Sequence, residues 1–154
     1  MDKENEKNRI ENCQSCELVA RKNPKDLIAY ESQNFIVNHS LDTGNHHSGW
    51  FIIFPKRHLC RFFELTQEEQ NELNTIIAAT DKALTEAFGS KRTMIASLGW
   101  HTYDHLHIHM VPTISEPVTY GYENFGENIY QPLGETPQKA TRKIKKILEK
   151  LLSN

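Results

Sequence analysis

The stretch His101-Thr-Tyr-Asp-His-Leu-His-Ile-His-Met-Val-Pro112 holds four of the chain's eight histidines within nine positions, and His105, His107 and His109 alternate strictly with Leu106, Ile108 and Met110. Alternate side chains of a β-strand point the same way. The spacing therefore predicts three imidazoles on one face and three apolar side chains on the other, entering the core. Same-face neighbours lie about 6.5–7 Å apart along a strand, close enough for consecutive rings to touch one phosphate-sized group. Two chemistries fit such a row. A free imidazole nitrogen is a ligand for transition metals, and it is also a nucleophile toward phosphorus, able to form a bond and later leave it. Strict alternation argues against an incidental solvated face, and the spacing alone leaves both chemistries open.

Cys13 and Cys16 form a C-x-x-C pair, and Cys60 stands alone. Three cysteines do not make a disulfide framework, so the pair reads first as metal ligands and second as a redox dithiol. A structural zinc needs four ligands, and two more would have to come from elsewhere.

The elements that must position these residues are legible in outline. Residues 1–12 lack apolar periodicity and are expected to be a loose tail. "LIAYE" (27–31) and "NFIVN" (34–38) read as a hairpin, followed by a polar loop, "HSLDTGNHHS" (39–48), whose His46 and His47 either close over the site or belong to an exposed polar loop with no special role. Trp50 to Phe54 reads as a strand buried on both faces and closed by Pro55, with Trp50 as a core aromatic. Thr66 and Glu69 form a capping box at the start of a helix over 66–88, and Gly89 supplies its left-handed stop. Residues 93–98 and 105–111 complete a count of five strands. The stretch 113–136 is expected to be irregular and to shape substrate choice. A last helix begins at Thr136-Pro137 and runs over 137–152, packed on the same domain, with its lysines as a solvated face.

At 154 residues, with a formal net charge of −2, 25% charged and 38% hydrophobic residues, the chain suits one domain, and its charge points to no nucleic-acid partner. The amino-terminal residues carry no apolar stretch of the secretory kind, and no run approaches the ~20 apolar residues of a membrane span, so a cytoplasmic location without a membrane partner is the expectation.

His105-Leu-His-Ile-His-Met-Val111 resembles the signature of the histidine triad superfamily of nucleotide hydrolases and transferases. "CQSC", "IAYESQNFIV", "GWFIIFPKRHL" and "ELTQEEQNEL" are similar, in order, to the landmarks of bacterial members, so the resemblance covers residues 13–112. It implies an α+β fold in which a five-stranded antiparallel sheet carries two main helices, commonly paired as a homodimer. It also implies a role for each histidine. His107 would attack the α-phosphorus of a nucleotide derivative, such as a dinucleoside polyphosphate or nucleoside phosphoramidate, and hold the nucleotidyl group until water releases it, while His109 would bind the phosphoryl oxygens. In zinc-bearing members the C-x-x-C pair is joined by the histidine of the P-K-x-H motif and the first of the triad. Here these are His58 and His105, giving a structural Zn2+ site with Cys13 and Cys16 that the chemistry itself does not require.

The chain departs from the family pattern in places. Trp100-His101-Thr102-Tyr103 stands where many members carry Gly-Gln-Ser/Thr-Val, leaving Thr102 and His101 as substrate-binding candidates, and Asn38 falls where members place a ribose-binding acidic residue. Trp50 follows Gly49 where many members have histidine. The competing readings are a metal-dependent hydrolase that uses His105, His107 and His109 as ligands, and a nucleotide-binding module without catalysis.

Overall fold

The computed structural model describes residues 13–20, 25–40, 49–97, 104–113 and 135–153. The expected tail 1–12, the loop positions 41–48 with His46 and His47, His101, Thr102 and residues 114–134 lie outside the described residues. Five strands, β1 (Ile28–Glu31), β2 (Phe35–His39), β3 (Phe51–Pro55), β4 (Arg92–Ala96) and β5 (Ile108–Thr113), form one antiparallel sheet in the order β1-β2-β3-β5-β4. The helices are α1 (Gln14–Val19), α2 (Gln67–Phe88) and α3 (Pro137–Leu152). This is an α+β fold in which two long helices carry the core.

Side-chain alternation divides the sheet. Phe35, Val37, Phe51, Ile53, Ile108 and Met110 are buried against Leu73, Ile76, Ala83 and Leu84 of α2 and Ile144 and Leu148 of α3. The intervening positions, including Asn38, Ile52 and His109, fall on the opposite face and are register partners in a row across β2, β3 and β5.

The local signals act as their chemistry demands. Thr66 accepts from the Glu69 amide while the Glu69 carboxylate accepts from the Thr66 amide, and Gly89 closes α2 at φ 67°. Thr136 caps α3 with Pro137 in its first turn. In the hairpin, the Ser32 hydroxyl accepts from the Phe35 amide at 3.0 Å.

Two elements differ from expectation. α1 carries no apolar periodicity long enough to announce a helix, since it spans only 6 residues. The histidine strand begins at Ile108 rather than residue 105, because the Leu106 amide donates to Leu59 O at 2.6 Å instead of entering the β3–β5 ladder. Among the described residues, no helix is long and apolar enough to cross a membrane.

Candidate functional site

The triad residues divide between two adjacent groups. His107 and His109 lie side by side on the face opposite the core, their ring centroids 4.9 Å apart at 77°. His105, just before β5, is buried beside His58, with centroids 4.9 Å apart, and packs edge-on against Phe54.

Hydrogen bonds settle the tautomers of the exposed-face pair. His107 Nδ1 lies 2.7 Å from the backbone oxygen of His105. A carbonyl can only accept, so Nδ1 carries the hydrogen and, in the neutral ring, Nε2 the lone pair. His109 is set the other way. The Trp50 indole N–H donates to His109 Nδ1 at 2.9 Å, and since an indole N–H can only donate, the hydrogen of neutral His109 resides on Nε2. Burial, with repulsion from His107 adding, pushes the His109 pKa down to about 4, which keeps that ring neutral near pH 7. The two rings thus present one nucleophilic nitrogen and one N–H donor.

Trp50 is the residue that sequence reasoning misplaced. It is half-buried rather than a core aromatic, because it belongs with Ile52 to the side of β3 that faces the histidines, while Phe51 and Ile53 fill the core. The departure from histidine after Gly49 was the one available signal of its role. Its backbone is held from β2: Ser40 N–H donates to Trp50 O at 2.8 Å, and His39 Nε2 accepts from the Gly49 amide at 2.9 Å while its Nδ1 bonds Ser40 O.

The second group joins residues from three parts of the chain. One ligand atom each from Cys13, Cys16, His58 and His105 lie within 4.8 Å of one another. His105 Nδ1 is 3.3 Å from Cys13 Sγ and 3.7 Å from Cys16 Sγ, and His58 Nδ1 is 3.4 Å from Cys16 Sγ. Tetrahedral zinc with Zn–S near 2.3 Å and Zn–N near 2.0–2.1 Å sets ligand atoms about 3.3–3.8 Å apart, so these residues fit the ion. The tautomer fits too. His105 Nε2–H donates to Pro55 O at 2.9 Å, which leaves the Nδ1 lone pair toward the sulfurs, and burial first, with His58 and His107 adding, holds its pKa down at about 4. The set is consistent with a structural zinc site tying α1 to the sheet.

The P-K-R-H segment that presents His58 is itself anchored. Arg57 makes a two-pronged pair with Glu69, at 2.7 and 2.8 Å, which holds the Glu69 carboxyl below its ordinary range and ties the end of β3 to the start of α2. Lys56 pairs with Glu31 at 2.9 Å. The Cys60 thiol donates to Asp104 O at 2.9 Å, outside the ligand set. Asn38 is buried on the site face; its Nδ2 donates to His39 O at 2.6 Å while its Oδ1 has no partner among the described residues. The structure brings together His107 with His109, and Cys13, Cys16 and His58 with His105, and places Asn38 two strands away from His109.

Burial gives this arrangement a pH signature. His39 and His109 are both held below the ordinary imidazole value, so between about pH 6.5 and 4 the unfolded chain binds protons that the folded chain refuses. Stability should therefore fall as pH drops through that window. A lower urea midpoint at pH 5 than at pH 7.5 is the expected result, and a flat midpoint would mean that these rings titrate normally.

The comparisons with known proteins agree with this architecture. Residues 12–119 match a family model described as scavenger mRNA decapping enzyme C-term binding. A zinc-bound histidine triad family protein from Mycobacterium smegmatis superposes with a TM-score of 0.66 at 19% identity, over 92% of this chain and 96% of that one. A Hit-like protein from Bartonella henselae, described as involved in cell-cycle regulation and holding an unknown ligand, gives 0.67 at 17%, over 90% and 98%. A hypothetical histidine triad nucleotide-binding protein from Sulfolobus tokodaii gives 0.66 at 19%, over 90% and 93%. At such identities the likenesses speak for the fold. A search of curated proteins returns no significant match. The family match over most of the chain, together with the His105–His109 row, places this protein in the histidine triad superfamily.

Proposed function

We propose that the protein is a nucleotidyl hydrolase or transferase in which His107 Nε2 attacks the α-phosphorus of a nucleotide derivative. The observation that carries this reading is the opposed pair of tautomers, a lone pair on His107 beside an N–H on His109. As the P–N bond forms, the bond to the leaving group breaks and the leaving group takes its electron pair. Water then attacks phosphorus, the P–N bond breaks, and a nucleoside monophosphate departs while the imidazole recovers its lone pair. His109 Nε2–H would bond the phosphoryl oxygen on which charge develops. Dinucleoside polyphosphates and nucleoside phosphoramidates are the substrate classes.

A catalytic metal held by all three histidines fits less well. Both ring nitrogens of His105 are committed elsewhere, one to Pro55 and one toward the sulfurs. Intact-mass spectrometry tests the covalent reading: the protein is mixed briefly with diadenosine polyphosphate or adenosine phosphoramidate and denatured without acid. The expected result is an added nucleotidyl mass that is absent from His107→Ala. Product without an adduct in any quench window would favour direct hydrolysis, and neither product nor adduct would favour a binding module.

Three further assignments belong to this reading. Asn38 Oδ1, a buried acceptor without a partner among the described residues, would take a hydroxyl of the nucleoside, relieving a cost of about 1–3 kcal/mol. Asn38→Ala is then expected to raise KM roughly tenfold with kcat nearly unchanged; a fall in kcat at constant KM would assign it elsewhere. His101 and Thr102 would contact the phosphate or leaving group. The chain would pair as a homodimer through β4, which lies at the sheet edge with Ile95 51% exposed. Light scattering should give twice the chain mass, and a monomer at micromolar concentration would remove the dimer from the proposal.

A further inference from the structure

Trp50 offers more than packing. It reaches diagonally from just before β3, in which Ile52 is the register partner of His109, and its ring meets His109 edge-on with centroids 5.3 Å apart. Its N–H occupies His109 Nδ1. A histidine, glutamine or serine at this position could either give or take a hydrogen. An indole can only give. The pair leaves no acceptor facing Nδ1, so His109 cannot become an imidazolium without breaking the bond from Trp50. Among the described residues, the titratable group facing His109 is His107, which lies just before the same strand and would be the nucleophile.

We infer that Trp50 is a positioning and specificity-determining residue: it holds His109 as a neutral Nε2–H donor, so that the site acts on bonds whose leaving group departs without a proton from the enzyme. This rests on the covalent reading above. In a phosphoanhydride, the P–O electron pair passes to a phosphate oxygen, a weak base that leaves as an anion. In a phosphoramidate, the P–N electron pair passes to nitrogen, which must gain a proton as it departs. A neutral His109 could supply one from Nε2 only by becoming an imidazolate, since its other nitrogen cannot be protonated while Trp50 donates to it. Phosphoanhydrides should therefore be turned over faster than phosphoramidates. The margin should be about 10²-fold, the lower range of a general acid's contribution.

The test couples a spectroscopic reading to a kinetic one. Nitrogen-15 NMR of histidine-labelled wild-type protein should show His109 in the Nε2–H form, with Nδ1 unprotonated at pH 6. Trp50→Phe keeps an aromatic ring and removes the donor. It should let Nδ1 take a proton at a higher pH than in the wild type and raise the phosphoramidate-to-phosphoanhydride rate ratio about tenfold, with KM for the anhydride nearly constant. A His109 that carries its hydrogen on Nδ1, or is charged in the wild type, overturns the inference without recourse to any variant. An unchanged rate ratio in Trp50→Phe overturns the specificity role. Failure of the covalent reading is separately visible, because the NMR result stands whether or not His107 forms an adduct.

Discussion

Replacing His107 by asparagine is expected to lower kcat by roughly 10⁴-fold or more, the scale seen when a covalent nucleophile is removed. That corresponds to about 5.5 kcal/mol of lost transition-state stabilisation. Asparagine can still donate to the His105 carbonyl from a short polar side chain, yet it offers no nitrogen lone pair toward phosphorus. The residue is only half-buried, so the melting temperature should move by no more than a few degrees and nucleotide binding should survive. Single-turnover kinetics with a nucleotide substrate, beside a thermal melt of the same preparation, would check both halves. Activity within tenfold of the wild type would remove His107 as nucleophile and leave the fold assignment intact.

Replacing Cys16 by serine should act on stability first. Cys16 Sγ lies near both imidazoles of the ligand set, 3.4 Å from His58 and 3.7 Å from His105, so the change removes one of four ligands and weakens the attachment of α1. A site held at about a thousand times its dissociation constant contributes ~4 kcal/mol, which for a chain of this size is a drop in melting temperature on the order of 10 °C. A smaller loss of activity should follow at temperatures where the variant is still folded, because the carbonyl that orients His107 belongs to a ligand residue. Elemental analysis should find one zinc per chain in the wild type and a deficit in the variant. Equal zinc and an equal melting temperature in both proteins would detach the cluster from any structural metal.

Much of the scaffold was legible because the forces that write it act over a few residues. Alternation in β5 put Ile108 and Met110 into the core, the Thr66–Glu69 box started α2, and Gly89 ended it. The positions of Cys13, Cys16, His58 and His105 followed from the family resemblance rather than from spacing. No local rule brings residues 92 apart, such as Cys13 and His105, into contact. The start of β5 was misjudged for the same reason: Leu59, far away in sequence, captures the Leu106 amide and delays the ladder until Ile108.

By itself, then, the sequence determined the five strands and two long helices, the alternation that turns His107 and His109 away from the core, and the choice between few chemistries for them, while its family resemblance supplied the α+β class. Only the tertiary structure decided which partner each imidazole nitrogen meets. His105 turned to the cysteines, His107 took the carbonyl of His105, and His109 received the indole N–H of a tryptophan 59 residues earlier. The physical reason lies in the imidazole itself. Its two nitrogens exchange donor and acceptor roles at little cost in water, so the role is assigned by whichever fixed donor or acceptor the fold sets beside each nitrogen.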